Sequence, residues 1–87
     1  MASGEVLGRV RAHVDERLRY YATAVQQLRA RRSGPSARGA MEEKSLIEQM
    51  RGCAEVLAII EGAETDSIIE LYLDQAARDP WKPPETH

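Results

Sequence analysis

Residues 46–60 read LIEQMRGCAEVLAII, and the arrangement of their apolar side chains decides the predicted fold. One set recurs in alternating steps of four and three, the heptad spacing of a helical stripe: Leu46, Met50, Cys53, Leu57 and Ile60. Val56 and Ile59 lie off that stripe, so a helix over about residues 40–61 is apolar on much of its circumference. Such a helix must be covered from more than one direction, by another helix, by a second copy of the chain, or by both.

An earlier helix is predicted over about residues 5–32. Its apolar residues recur every three or four positions and form one narrow stripe: Leu7, Val10, Val14, Leu18, Tyr21, Val25 and Leu28. A stripe this narrow resembles a coiled-coil seam, which predicts one major interface for the helix. Residues 33–39, which read SGPSARG, then interrupt the pattern and suit a connection between antiparallel helices.

A shorter third helix is predicted over about residues 67–78. Ser67 and Glu70 have the spacing of a capping box, in which the serine caps the start of the helix and the glutamate reaches back to it. Asp79 and Pro80 are expected to end this helix, because proline disfavours the helical conformation in the residue before it.

Residues 1–79 are therefore expected to form one helical domain, and residues 80–87 a proline-rich extended tail. The expected fold class is all-α, a long antiparallel αα-hairpin plus a shorter third helix. The chain has 87 residues and a single cysteine, Cys53, so its core is small and cannot contain an internal disulfide. Self-association is the remaining source of stability, and we expect two copies to pair into a four-helix-like bundle. The side chains expected at the dimer interface are Val56, Leu57, Ile59, Ile60, Leu71 and Leu73.

The net charge of −2 hides an uneven distribution of charge along the chain. The first forty residues hold eight arginines and three acids, whereas the remaining residues hold eleven acids. Arginines near the hairpin turn are a candidate nucleic-acid surface, because such clusters neutralise phosphates: Arg29, Arg31, Arg32 and Arg38. The alternative is that the basic first helix pairs with the acidic second helix along their seam. The acidity of the whole chain favours this alternative.

Two acidic segments are candidates for magnesium-dependent chemistry. Residues 42–46 read EEKSL, and residues 70–74 read ELYLD. They are similar in part to the Glu-Glu-x-x-Glu and Glu-x-x-Asp helices with which MazG-like all-α nucleotide pyrophosphohydrolases hold magnesium. The first segment lacks the last glutamate of that pattern, and the second is one residue too long, so solvated helix faces are the favoured interpretation. The acidic candidates are Glu42, Glu43 and Glu48 on the second helix, with Glu70 and Asp74 on the third.

Trp81 and Tyr20 are the candidate partner-binding residues, because aromatic side chains are enriched at interfaces and often dominate their energy. Trp81 follows the third helix, and the alternative is that it folds back over the hairpin. Cys53 is expected to pack in the core as a small hydrophobe. His13 has no second histidine or cysteine nearby, so no zinc site is expected. No cofactor and no metal ion are predicted.

The leading functional hypothesis is a non-enzymatic protein–protein interaction module, a small homodimeric helical adaptor, inhibitor or regulator that binds another protein. The alternatives are a nucleic-acid-binding protein and a magnesium-dependent nucleotide hydrolase. We expect no signal peptide, because the sequence does not open with a basic segment followed by an apolar run. We expect no membrane partner, because no stretch approaches about 18 apolar residues. A cytoplasmic protein is therefore predicted, and the abundance of arginine and alanine indicates a bacterial or phage source.

Overall fold

Three α-helices and no strands make up the part of the chain that the structure describes. The computed structural model describes residues 2–31 and 37–83. The helices are α1 (Ala2–Arg31), α2 (Ala37–Glu61) and α3 (Thr65–Arg78). The predicted all-α class is confirmed, although α1 and α2 each begin three residues earlier than predicted. Residues 33–36 of the predicted turn and residues 84–87, half of the predicted tail, lie outside the described residues.

α1 and α2 form an antiparallel hairpin, and two ion pairs mark its register. Near the turn, Nε of Arg29 lies 2.9 Å from Oε1 of Glu43. Near the other end, the guanidinium group of Arg11 contacts the carboxylate of Glu61. These side chains are partly exposed to solvent, where an ion pair contributes roughly 0–1 kcal/mol. The two pairs therefore mark the register of the hairpin more than they stabilise it.

The core fills the seam between α1 and α2 and the space beneath α3. All three helices contribute to it: Val14, Leu18, Tyr21, Ala22, Val25, Met50, Ala54, Leu57, Ile68, Ile69, Tyr72 and Ala76. Leu18, Val25 and Met50 are the largest of the fully buried side chains. The apolar stripe predicted for the first helix is therefore buried from Val14 to Val25.

α1 departs from the prediction in two ways. Leu7 and Val10 belong to its stripe but are 51% and 40% exposed, because α2 ends at the level of Arg11 and leaves the first turns of α1 uncovered. α1 also has a second interface, with α3, where Ala22 and Thr23 are buried. The expectation of one major interface for this helix is therefore wrong, because the stripe contained only the side chains that face α2.

A tight turn at Gly62 ends α2. Gly62 has a φ of +67°, in the left-handed region that glycine adopts without steric cost. Ala63 donates its backbone N–H to the carbonyl oxygen of Ala58 at 3.1 Å, a bond across six residues that is typical of the Schellman motif. The chain thus reverses within a few residues of the end of α2.

The start of α3 corrects the predicted capping box. Because the turn at Gly62 is so short, α3 already begins at Thr65, and Glu64 is the residue that precedes its first turn. The backbone N–H of Ile68 bonds to the Glu64 carbonyl at 3.2 Å, and no side chain caps the helix. Ser67 therefore lies inside the first turn and is not the N-cap, so the prediction of a capping box from Ser67 to Glu70 is wrong.

Two glycines allow a matched test of the turn. A Cβ atom at Gly62 or at Gly52 would meet no atom within 4 Å, but only Gly62 has a positive φ. We expect Gly62→Ala to lower the free energy of unfolding by about 1–2 kcal/mol, because alanine is strained in the left-handed region. We expect Gly52→Ala, in the middle of α2, to raise it by about 0.5–1 kcal/mol. Urea unfolding followed by circular dichroism measures both changes, and equal effects would contradict the assigned turn.

Candidate interaction surface

α3 packs against one side of the α1–α2 hairpin. On α1, the side-chain amide of Gln26 donates a hydrogen bond to the backbone carbonyl of Leu73 at 2.9 Å. On α2, Nη1 of Arg51 lies 2.9 Å from Oδ1 of Asp66. Gln26 and Arg51 therefore mark the side of each long helix that faces α3.

The opposite side of the hairpin is covered by no described helix. At about 100° per residue, Val10 and Leu28 lie roughly 160° around α1 from Gln26. Four apolar residues of α2 lie roughly 140–180° around that helix from Arg51. Together these residues form a surface that we call the open face: Val10, Leu28, Leu46, Cys53, Val56 and Ile60.

The open face is a partly exposed apolar strip along the α1–α2 hairpin, and α2 ends at the level of its Val10 end. Val10 is 40% exposed and Val56 is 39% exposed, and the other four residues are half-buried. From Val10 to Leu28 the strip is about 27 Å long, at a rise of 1.5 Å per residue. Such a strip is long enough to contact about five turns of another helix.

The residues predicted for a dimer interface do not share one surface. Val56 and Ile60 lie on the open face. Leu57 is only 3% exposed because it packs in the core, and Leu73 packs partly against the core as well. The two remaining residues, Ile59 and Leu71, are 83% and 63% exposed, on the outer side of α2 and on α3.

Most arginines in the described residues form ion pairs within the chain. Six of them lie close to a carboxylate: Arg11, Arg19, Arg29, Arg38, Arg51 and Arg78. Arg9, Arg17 and Arg31 are the described arginines that lack such a partner, and all three are exposed on α1. The uneven charge of the sequence is thus largely compensated by pairing inside the fold.

The candidate nucleic-acid residues are accordingly divided. Arg29 pairs with Glu43, and Arg38 lies 3.6 Å from Glu42 one turn further along α2. The Nε of Arg31 contacts the carbonyl of Gln27 at 3.4 Å, and its side chain is exposed. Arg32 lies outside the described residues. Of the candidates within the described part of the chain, only Arg31 has no carboxylate partner.

Tyr20 and Trp81, the candidate partner-binding residues, contact each other. Their ring centroids are 5.6 Å apart and the rings are nearly perpendicular, at 85°. The backbone N–H of Trp81 donates to Oγ1 of Thr23 at 2.8 Å, so the segment after α3 is fixed against α1. Trp81 therefore packs on the outside of α1, and Tyr20 remains 48% exposed beside it.

The acidic candidates for magnesium binding are separated. Near the start of α2, Glu42 pairs with Arg38 and Glu43 pairs with Arg29 of α1. On α3, Asp74 lies 3.1 Å from Arg78. Glu48 and Glu70 are exposed on α2 and α3. Within the described ranges, no three histidine, cysteine, aspartate or glutamate side chains approach one another closely enough to hold a metal ion.

A hydrogen bond between a buried tyrosine and an aspartate joins α3 to α1, and no sequence pattern indicated this contact. The hydroxyl group of Tyr72 donates to Oδ1 of Asp15, whose other oxygen lies 3.2 Å from Nε of Arg19. Burial, followed by the hydrogen bond to Asp15 and its negative charge, raises the pKa of Tyr72 well above its usual range. The sequence pattern places Tyr72 only among the apolar residues of the third helix, although a buried tyrosine hydroxyl needs a partner.

A scan against protein-family models, a search of curated proteins and a search of solved structures gave no match to this chain. Within residues 2–31 and 37–83, no helix has the length and apolar character that crossing a membrane requires.

The pairing of Tyr72 with Asp15 predicts a loss of stability at high pH. Above the ordinary tyrosine pKa of 10.0, the unfolded chain releases this proton and the folded chain keeps it, so rising pH favours unfolding. At pH 11, about one unit above the unfolded pKa, this linkage costs at most about 1.4 kcal/mol. Tyr72→Phe should therefore lose less stability than the wild type between pH 8 and pH 11 in urea unfolding. Parallel losses in the two proteins would contradict the linkage.

The contact of Trp81 with α1 predicts a change in fluorescence. Trp81 is the only tryptophan, so its emission reports this segment alone. Thr23→Val keeps the size of the side chain but removes the hydroxyl oxygen that accepts the hydrogen bond from the backbone N–H of Trp81. We expect the emission maximum to move to longer wavelength while the helical circular dichroism stays the same. An unchanged maximum would show that Thr23 does not hold the segment.

Proposed function

We propose that this chain is a non-enzymatic protein–protein interaction module, a small helical adaptor, inhibitor or regulator that binds its partner through the open face. The observation that carries the proposal is the apolar strip between α1 and α2 on the side without α3. Exposed apolar patches on a small protein are a typical mark of an interaction site. Val10 and Val56, at 40% and 39% exposure, are its most accessible side chains.

The ion pairs support protein binding over nucleic-acid binding. A phosphate that bound Arg29 would have to displace the carboxylate of Glu43, and one that bound Arg38 would have to displace Glu42. The six residues that define the open face are apolar and offer nothing to a phosphate, and only Arg17 and Arg31 of α1 border them. A carboxylate-based hydrolase has less support, because the acidic candidates are dispersed over α2 and α3.

Self-association is the second part of the proposal. Ile59 and Leu71 are strongly exposed and lie outside the open face, so a second copy that contacts them leaves the open face free for another protein. A cytosolic location belongs to the same proposal, because a reducing compartment keeps Cys53 as a thiol.

Cys53 provides the test, because it is the only cysteine and lies half-buried on the open face. A photo-cross-linker attached to Cys53 is activated in the presence of cell extract, and the products are separated by mass. We expect covalent adducts between the chain and a protein, and we expect Val56→Glu to reduce them at least fivefold, since it places a charge on the open face.

Leu71→Glu is the matched control, because it makes the same change at an exposed residue on α3. It should leave the adducts intact and, if Leu71 contacts a second copy, lower the mass measured by light scattering. Circular dichroism of both variants confirms that the helices persist. Absence of adducts, or equal adducts from Val56→Glu and wild type, would overturn the proposed function.

A further inference from the structure

We infer that the partner bound by the open face is an acidic amphipathic helix of another protein. This inference rests on the proposed function and adds the chemistry of the partner. It follows from the distribution of charge along the two edges of the open face, and from the shape of a strip that lies between antiparallel helices.

The α1 edge of the open face is basic. Arg17 and Arg31 lie within roughly 60° of the direction of Val10 around α1, whereas the acids of α1 lie roughly 120–140° away from it. Those acids are Glu5, Asp15 and Glu16. Neither arginine has a carboxylate partner within the described part of the chain. Instead, the Arg17 guanidinium lies 5.1 Å from the ring centroid of Tyr21 and donates to its hydroxyl at 2.6 Å.

The α2 edge of the open face is uncharged over its central turns. Ser45 and Gly52 lie at this edge, Gln49 lies between the directions of Val56 and Ile60, and all three are exposed. A Cβ atom at Gly52 would meet nothing within 4 Å, so this edge has space for a side chain of a partner. Nearer the turn, Arg38 and Glu42 neutralise each other. A partner would therefore meet unpaired positive charge along α1 and no opposing charge along the middle of α2.

An amphipathic helix fits the shape of the open face. A third helix laid along the strip would contact both long helices, as helices do in a bundle. An apolar stripe of about 18 residues matches the length of about 27 Å. Carboxylates on one flank of that stripe would lie against Arg17 and Arg31, and this asymmetry would fix the direction and register of the bound helix.

A second copy and a nucleic acid fit the open face less well. The open face of a second copy would place either the same arginines or the α2 edge against Arg17 and Arg31, and the carboxylate of Glu42 on that edge already lies 3.6 Å from Arg38. Within the described residues, a nucleic acid would find three arginines without a carboxylate partner, including Arg9, spread over about 33 Å of α1. Duplex-binding proteins can make about six to ten phosphate contacts, and the apolar strip adds none.

Two designed peptides test the inference. Both have 18 residues, the same leucine stripe and the same fluorescein label, but their flanks carry glutamate in one and lysine in the other. Fluorescence anisotropy with the full chain measures the two dissociation constants at low and at physiological salt. We expect the glutamate peptide to bind at least tenfold more tightly than the lysine peptide, and higher salt to reduce that ratio.

Variants of the chain locate the effect. Arg17→Glu and, separately, Arg31→Glu should lower the preference for the glutamate peptide at least fivefold. Lys44→Glu is the control, because it changes the net charge equally on an exposed part of α2 outside the open face. Gly52→Trp should weaken both peptides by blocking the open edge. Arg17→Glu removes the contact between Arg17 and Tyr21 and could disturb the fold. Arg31→Glu removes no such contact, so it tests the same preference independently.

Three results would overturn the inference. The first is equal binding of the two peptides, or binding of neither. The second is tighter binding of an 18-base-pair duplex than of the glutamate peptide, which would assign the arginines to nucleic acid. The third is a dimer whose interface protects Cys53 from labelling, which would assign the open face to a second copy. If the peptides bind equally or not at all but adducts at Cys53 still depend on Val56, the proposed function stands and only the acidic partner is excluded. If no adducts form, both the proposed function and this inference fail.

Discussion

Leu18, Val25 and Met50 lose all of their accessible surface where α1 meets α2, and every other contact of the fold depends on that seam. Burial of a side chain of this size contributes roughly 1.5–3 kcal/mol, whereas an exposed ion pair contributes roughly 0–1 kcal/mol. The seam therefore supplies the stability, and the pairs at its two ends select one register. Once the register places Glu61 beside Arg11, the first turns of α1 necessarily extend beyond α2.

α3 can cover only one side of this seam. It is attached there by its apolar residues and by polar contacts that need a specific geometry, above all the bond from Tyr72 to Asp15. The other side of the hairpin keeps the apolar residues that a fourth helix would cover in a complete bundle. The open face is thus a direct consequence of building a chain of three helices around a two-helix seam, and it needs no strained or unusual local structure.

The sequence was sufficient to predict the three helices and the buried part of the α1 stripe, because helical periodicity is a local property. It could not predict which side of the hairpin α3 covers, because that depends on the turn at Gly62 and on the packing of small residues such as Ala22. For the same reason the residues predicted for a dimer interface were dispersed. Val56 and Ile59 both lie off the main stripe of α2, but only the position of α3 assigns Val56 to the open face. The contact of Tyr20 with Trp81 joins a helix to an irregular segment, for which no periodicity exists.

The arginines show why composition alone does not assign a basic protein surface. Eight arginines in the first forty residues suggest phosphate binding, yet four of them lie close to carboxylates within the fold, with which a phosphate would have to compete: Arg11, Arg19, Arg29 and Arg38. The pairs formed by Arg11 and Arg29 are also the pairs that mark the hairpin register, so folding itself uses this charge. Of the described arginines without a carboxylate partner, Arg17 and Arg31 border the exposed apolar strip. A partner that satisfies them must bring carboxylates and apolar side chains together, which is a property of an acidic amphipathic helix and not of a phosphate backbone.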